Sequence, residues 1–123
     1  MMTKLNQYFD RDEFACKCGC GFNTVDADLL QLVTAVREYF NQPVSVTSGC
    51  RCEAHNESVG GSAGSLHKLG RAADIIVRGI EPDDVAEFLE SMCEAPGVGR
   101  YSTFTHVDSR TGKAWWCSQC YVA

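Results

Sequence analysis

The 123-residue chain has three histidines, His55, His67 and His106, and two of them stand where they could serve chemistry. His67 follows the glycine-rich run Gly60-Gly61-Ser62-Ala63-Gly64-Ser65, and Asp74 opens the apolar run Asp74-Ile75-Ile76-Val77. A carboxylate at the head of a buried strand is costly unless something pairs with it. His106 lies in a further apolar stretch, Phe104-Thr105-His106-Val107-Asp108. Two imidazoles and one carboxylate suit a catalytic zinc that keeps a fourth position open for water. Zinc lowers the pKa of that water to about 7, giving a nucleophile without a covalent intermediate. Spacing alone does not bring His106 to His67. A histidine in a strand is as readily a hydrogen-bonded core or surface residue, so both readings stand here.

The thiols form a second set. Cys16-Lys17-Cys18-Gly19-Cys20-Gly21 is a dense cluster, Cys50-Arg51-Cys52 brackets an arginine, and Cys117-Ser118-Gln119-Cys120 lies near the C-terminus. Cys93, four residues after Leu89, reads as a buried hydrophobe on its helix. Eight cysteines exceed ordinary intracellular use yet fall short of the roughly 8–10% typical of disulfide scaffolds. Two readings compete: a structural thiolate zinc tying the N-terminal arm to the Arg51 loop, or disulfides formed after release from a cell. A redox enzyme is disfavoured, because the terminal C-x-x-C lacks a helix N-terminus to lower a thiol pKa.

These groups need elements to hold them. Leu29, Val33, Val36 and Phe40 recur at the spacing of a helix with one buried stripe, with Asp26 as N-cap, Val25 as staple and Pro43 beyond its end. Val44-Ser45-Val46-Thr47 alternates like a short strand. Residues 53–66 read as a helical turn and then a loop. Residues 74–77 form a buried strand, and a second amphipathic helix follows, with Pro82 in its first turn and Val85, Phe88, Leu89 and Met92 on one face. Strands are expected around residues 98–101, 104–108 and 114–116, with a turn at Thr111-Gly112. The sum is α+β: two to three helices around a small antiparallel sheet.

Length and charge bound the partners. One domain over residues 1–123 is expected, with 1–8 and 117–123 peripheral. Eleven Lys and Arg against 16 Asp and Glu argue against nucleic acid. No apolar run approaches the roughly 20 residues of a membrane span. Residues 1–8 lack an apolar stretch of signal-peptide type, so we expect a protein made in the cytoplasm without a signal peptide; a monomer is expected.

Ser65-Leu66-His67-Lys68-Leu69-Gly70-Arg71-Ala72-Ala73-Asp74 resembles the S-x-H-x-x-G-x-A-x-D signature of the zinc D-alanyl-D-alanine carboxypeptidase family. Ser48-Gly49-Cys50-Arg51 resembles its S-G-Y-R segment, and His55-Asn56 through Val59-Gly60-Gly61 its H-N-x-x-V-G-G stretch. Gly99-Arg100-Tyr101 and Phe104-Thr105-His106-Val107-Asp108-Ser109-Arg110 are similar to the ending of a compact branch often borne by phages and prophages. The resemblance runs from about Phe9 to Trp116. It implies a hedgehog/D-Ala-D-Ala peptidase-like fold and a zinc metallopeptidase acting on peptidoglycan stem peptides. The enzyme would be either a D-Ala-D-Ala carboxypeptidase or an endolysin-type endopeptidase at the bacterial cell wall.

Residue by residue, the resemblance makes His67, Asp74 and His106 the ligands of one catalytic zinc. Arg51 becomes the group that polarises the scissile carbonyl, and Ser65 either a substrate contact or a loop cap. Gly70 and Ala72-Ala73 become small residues that let the loop pack. Cys16, Cys18, Cys20 and Cys52 look like features of the compact branch, for a second, structural zinc or for disulfides. Cys50 replaces the usual aromatic. Many relatives carry an acid or histidine just before the last ligand, where this chain has Thr103 and Phe104. Asp108, on the His106 face by strand alternation, is then the nearest base, or else a carboxylate holding a ligand or Arg110. Glu57 and His55 are weaker candidates. The alternative class is a catalytically weak zinc-binding module that binds wall peptide or a protein partner.

Overall fold

Alternation along the strands divides the sheet into an aliphatic face and a polar one, and that division positions everything else. In the computed structural model, which describes residues 4–92, 96–110 and 114–118, the strands are β1 (Val44–Ser48), β2 (Ala72–Val77), β3 (Gly97–Arg100), β4 (Thr105–Asp108) and β5 (Ala114–Cys117). They form one sheet in the order β1-β2-β4-β3-β5. Pairing sets Val44 and Val46 beside Val77 and Ile75, and Ala73 beside Val107 and Val98. All seven are buried. The opposite face carries two rows across the strands: Asp74, His106, Gly99 and Trp116, then Ala72, Asp108, Gly97 and Ala114.

The sheet is mixed where an antiparallel one was expected. β1–β2, β2–β4 and β3–β4 are antiparallel, but β5 runs parallel to β3. β3 and β4 form a hairpin, and β5 passes β4 to pair with the free edge of β3. A strand pattern in sequence shows which residues extend, not which edge they join.

Two helices cover the aliphatic face. In α1 (Ala27–Phe40) the Asp26 carboxylate accepts from the Leu29 amide, as its cap position requires. Leu29, Val33 and Val36 are the buried stripe. Asn41, in the left-handed region, ends this helix two residues before Pro43. In α3 (Pro82–Glu90) proline occupies the first turn and Val85, Ala86 and Leu89 are buried. Phe88 stacks on Tyr39 at 4.2 Å between ring centroids and meets Phe40 edge-on at 5.8 Å, joining the two helices. Such pairs contribute about 0.5–1.5 kcal/mol beyond their area.

The short α2 (Glu53–Ser58) follows β1, where a helical turn was expected. A 3₁₀ turn, Leu66–Leu69, interrupts the loop after it. The N-terminal arm contains a second 3₁₀ turn, Arg11–Phe14, whose Phe14 is buried edge-on against Phe9. Asn6 donates to Thr34 of α1, and Leu5 and Tyr8 pack against the core. Cys93, Cys120 and the Thr111-Gly112 turn lie outside the described residues. No helix among the described residues is long and apolar enough to cross a membrane.

Leu89, fully buried between α3 and the sheet, is the plainest test of this core. Leu89→Ala is expected to destabilise by about 2–5 kcal/mol. Val59→Ala, at an exposed position, is expected to stay within about 0.5 kcal/mol. Chemical denaturation measures both.

Candidate metal centre

Cross-strand pairing places Asp74 of β2 opposite His106 of β4 on the polar face. His67 reaches them from the 3₁₀ turn Leu66–Leu69. The Ser65 hydroxyl caps that turn by accepting from the His67 amide at 3.2 Å. At its other end Gly70 lies against Thr24, where a Cβ would drive into the Thr24 carbonyl. The turn therefore has its start and its packing set by the residues flanking the histidine.

One oxygen of Asp74 faces both rings. Oδ1 lies 3.3 Å from His67 Nε2 and 3.0 Å from His106 Nδ1. The three ligand atoms all fall within 4.8 Å of one another, on residues that are all buried. Tetrahedral zinc with bonds of about 2.0–2.2 Å separates such atoms by about 3.4 Å. The ring nitrogens turned away are also held. His67 Nδ1 sits 2.6 Å from the Gly49 carbonyl, which fixes the tautomer and leaves Nε2 for a metal. His106 Nε2 sits 2.8 Å from Asp108 Oδ2, the carboxylate–histidine arrangement that orients metal ligands. Donor types, separations and outer hydrogen bonds all fit zinc.

The electrostatics follow from this packing. Burial alone would raise the Asp74 pKa, but hydrogen bonds from His106 and His67, with their charge, bring it down to about 2. Burial favours a neutral His106, yet hydrogen bonds to Asp108 and Asp74 outweigh it and raise its pKa. Asp108 is driven well below the usual carboxylate range, because hydrogen bonds from His106 and Arg110 overcome its burial. Metal binding here requires Nδ1 of His106 to give up its proton while Nε2–H keeps donating to Asp108.

Arg51 stands beside this centre. Its Nη2 is 3.5 Å from Asp74 Oδ2, the oxygen turned away from the histidines. Nε donates to Ser48 Oγ at 3.1 Å and Nη1 to Asn56 Oδ1 at 3.3 Å. These contacts use three of the five guanidinium donors. Asn56 is itself buried and donates to the Ser62 carbonyl. Gly61 packs so close that a Cβ would strike the Asn56 amide. The arginine is thus oriented by residues from β1 and α2.

Asp108 lies behind His106. Its side chain is 0% exposed, and Arg110 grips it from Nε and Nη2 at 2.8 Å each, to Oδ1 and Oδ2. Space for the carboxylate comes from Gly97 on the neighbouring strand, where a Cβ would overlap Asp108. Gly99 does the same for the indole of Trp116, which lies 4.9 Å from the His106 ring and donates to the Tyr101 hydroxyl. Sequence alone gives no role in the site to Gly49, Asn56, Gly97 or Trp116. The Gly97-Val98-Gly99 alternation was the available signal, since glycine inside a strand marks a close approach.

A family model for Peptidase M15 matches residues 7–108. The chain belongs to the Peptidase M15 family. It is therefore a peptidase of the zinc metallopeptidase kind. The match takes in Arg51, His67, Asp74, His106 and Asp108 together with the Cys16–Cys20 arm, and stops short of β5 and Trp116. No curated protein matches the chain. Within this M15 peptidase the structure gathers His67, Asp74, His106, Arg51 and Asp108, while Ser65 contacts the backbone of the ligand turn. His55 Nδ1 and Nε2 take no part in the grouping, and Glu57 is exposed on α2. The structure also brings Cys16, Cys18, Cys20 and Cys52 together, one residue from Arg51. Cys50 is buried and donates its thiol to the Phe22 carbonyl, and Cys117 is disulfide-bonded.

Asp108→Asn keeps the size of the side chain but removes the charge behind His106. Zinc affinity is expected to fall about 10- to 100-fold, read by competition with a chromogenic chelator. An unchanged affinity would show that Asp108 does not support the ligand.

Proposed function

We propose that this chain hydrolyses an amide bond in the stem peptides of peptidoglycan, at a bond involving a D-amino acid such as D-Ala-D-Ala or L-Ala-D-Glu. The observation that carries the reading is the placement of Arg51. Its guanidinium touches one oxygen of Asp74 while the other oxygen faces both histidines. A fixed positive charge therefore lies beside the metal ligands, where a scissile carbonyl would develop negative charge. The motif resemblance across Ser48–Arg51 and Ser65–Asp74 supports the substrate class.

When bound, zinc supplies a water acidified towards neutral pH and a Lewis-acid contact for the carbonyl. The chain does the rest. Ser48 and Asn56 orient Arg51, whose two unused donors can meet the substrate oxygen. Asp108 and the Gly49 carbonyl hold the two imidazoles in their ligand orientations. Trp116 packs against the His106 ring at a tilt. In this reading Asp108 is a positioning residue, with both oxygens engaged by His106 and Arg110. Such an enzyme would work at the bacterial cell wall, as an endolysin does.

A second reading draws on that same carboxylate. With Asp108 engaged, the proton-transfer group expected of it is not free, which suits a zinc-binding module that holds wall peptides without cleaving them. Digestion of purified peptidoglycan by the zinc-loaded protein across about pH 5–9, with new termini identified by mass spectrometry, separates the two. Cleavage is expected, and Arg51→Ala should lower kcat by about 10²–10³-fold while metal content stays the same. Peptide binding without new termini at any pH would support the module instead.

A further inference from the structure

We propose that Cys16, Cys18, Cys20 and Cys52 hold a second, structural zinc ion in a closed four-thiolate site. Their sulfurs all lie within 4.8 Å of one another, with Cys16 to Cys18 at 3.4 Å and Cys18 to Cys52 at 3.7 Å. Tetrahedral zinc with bonds of about 2.3 Å sets sulfurs about 3.8 Å apart. A disulfide would bring a pair to about 2.05 Å, and all four are free thiols. The spacing is that of ligands around a common centre.

The local backbone is shaped for this convergence. The Cys16 amide donates to the Phe22 carbonyl at 2.7 Å, closing the loop, and the Gly19 amide turns back onto the Cys16 carbonyl at 3.2 Å. Gly19 and Gly21 have φ of +85° and +92°, yet nothing lies within 4 Å of where a Cβ would sit. They serve the turn and not the packing, and only glycine adopts such angles without strain. The loop thereby curls three cysteines, at alternate positions, towards Cys52.

Backbone donors point at the sulfurs. The Cys52 amide lies 3.4 Å from Cys16 Sγ, and the His55 amide lies 3.4 Å from Cys52 Sγ, which caps α2. N–H groups aimed at sulfur favour the thiolate, the form that binds metal. Each of the four thiols would release its proton to solvent as the ion binds. A sulfur-only donor set selects zinc over magnesium or calcium, and four protein ligands leave no position for water. The site would be structural. It would join the N-terminal arm to the turn that carries Arg51, alongside the Cys50 amide's bond to the Phe14 carbonyl.

The test does not depend on the peptidase reading. Metal analysis of the purified 123-residue chain is expected to give about two zinc ions, and His67→Ala and Cys18→Ser should each give about one. After cobalt exchange, the near-ultraviolet thiolate-to-cobalt band should persist in His67→Ala and vanish in Cys18→Ser. Should Cys18→Ser fail to fold, the wild-type and His67→Ala cobalt spectra decide the matter. A wild type with one zinc that is lost in His67→Ala, and no thiolate band, would overturn the thiolate site while leaving the histidine centre intact. A wild type with only one zinc, which His67→Ala retains with the thiolate band present, would support the thiolate site and overturn the histidine centre. Iron in place of zinc, or a disulfide mapped by peptide mass spectrometry to any of Cys16, Cys18, Cys20 and Cys52, would also overturn the proposal.

Discussion

A carboxylate buried among two imidazoles and a guanidinium is the constraint on which the structure turns. Asp74 is 7% exposed, and such a charge is tolerable only when every lone pair has a partner. Oδ1 is met by His67 and His106, and Oδ2 by Arg51. These partners come from a 3₁₀ turn, a strand and the segment after β1, so satisfying one carboxylate brings three distant parts of the chain together. The same convergence makes a metal centre. The groups that neutralise Asp74 are those that would share a metal ion or face its substrate.

The sheet supplies the platform because its two faces carry different duties. Val98 and Val107 anchor the helices on one side, and their neighbours Gly97, Gly99, His106 and Asp108 build the centre on the other. Glycines at alternate positions of β3 weaken that strand, yet they make room for Asp108 and Trp116. Packing and chemistry are joined through a one-residue alternation. A register slip would send His106 to the helix side and Val107 into the site.

Much of this was legible in the sequence, and the remainder was hidden for definite reasons. The stripe Leu29-Val33-Val36 and the Asp26 cap rest on local periodicity and hydrogen bonding, and both appear as read. Strand alternation put Asp108 on the His106 face, and the sequence offered it either as a base or as a carboxylate holding a ligand or Arg110. Its contacts are those of the second role, and what decides between them is Arg110 curling back two residues, which no periodicity records. The parallel pairing of β5 depends on a choice of edge, and the roles of Gly97 and Asn56 on contacts between strands or loops far apart in sequence. Residue types left the trio His67, Asp74 and His106 open, and the motif resemblance pointed to it as a ligand set. The hydrogen bonds that the two imidazoles donate to the Gly49 carbonyl and Asp108 are tertiary facts.

The central claim is that His67, Asp74 and His106 form one zinc site with His106 binding through Nδ1. X-ray diffraction from crystals of the zinc-loaded protein, collected on both sides of the zinc absorption edge, tests it most directly. An anomalous peak is expected bonded to His67 Nε2, an Asp74 oxygen and His106 Nδ1, with His106 Nε2 still on Asp108. No zinc peak among these three residues, or one bonded to His106 Nε2 with Asp108 displaced, would contradict it.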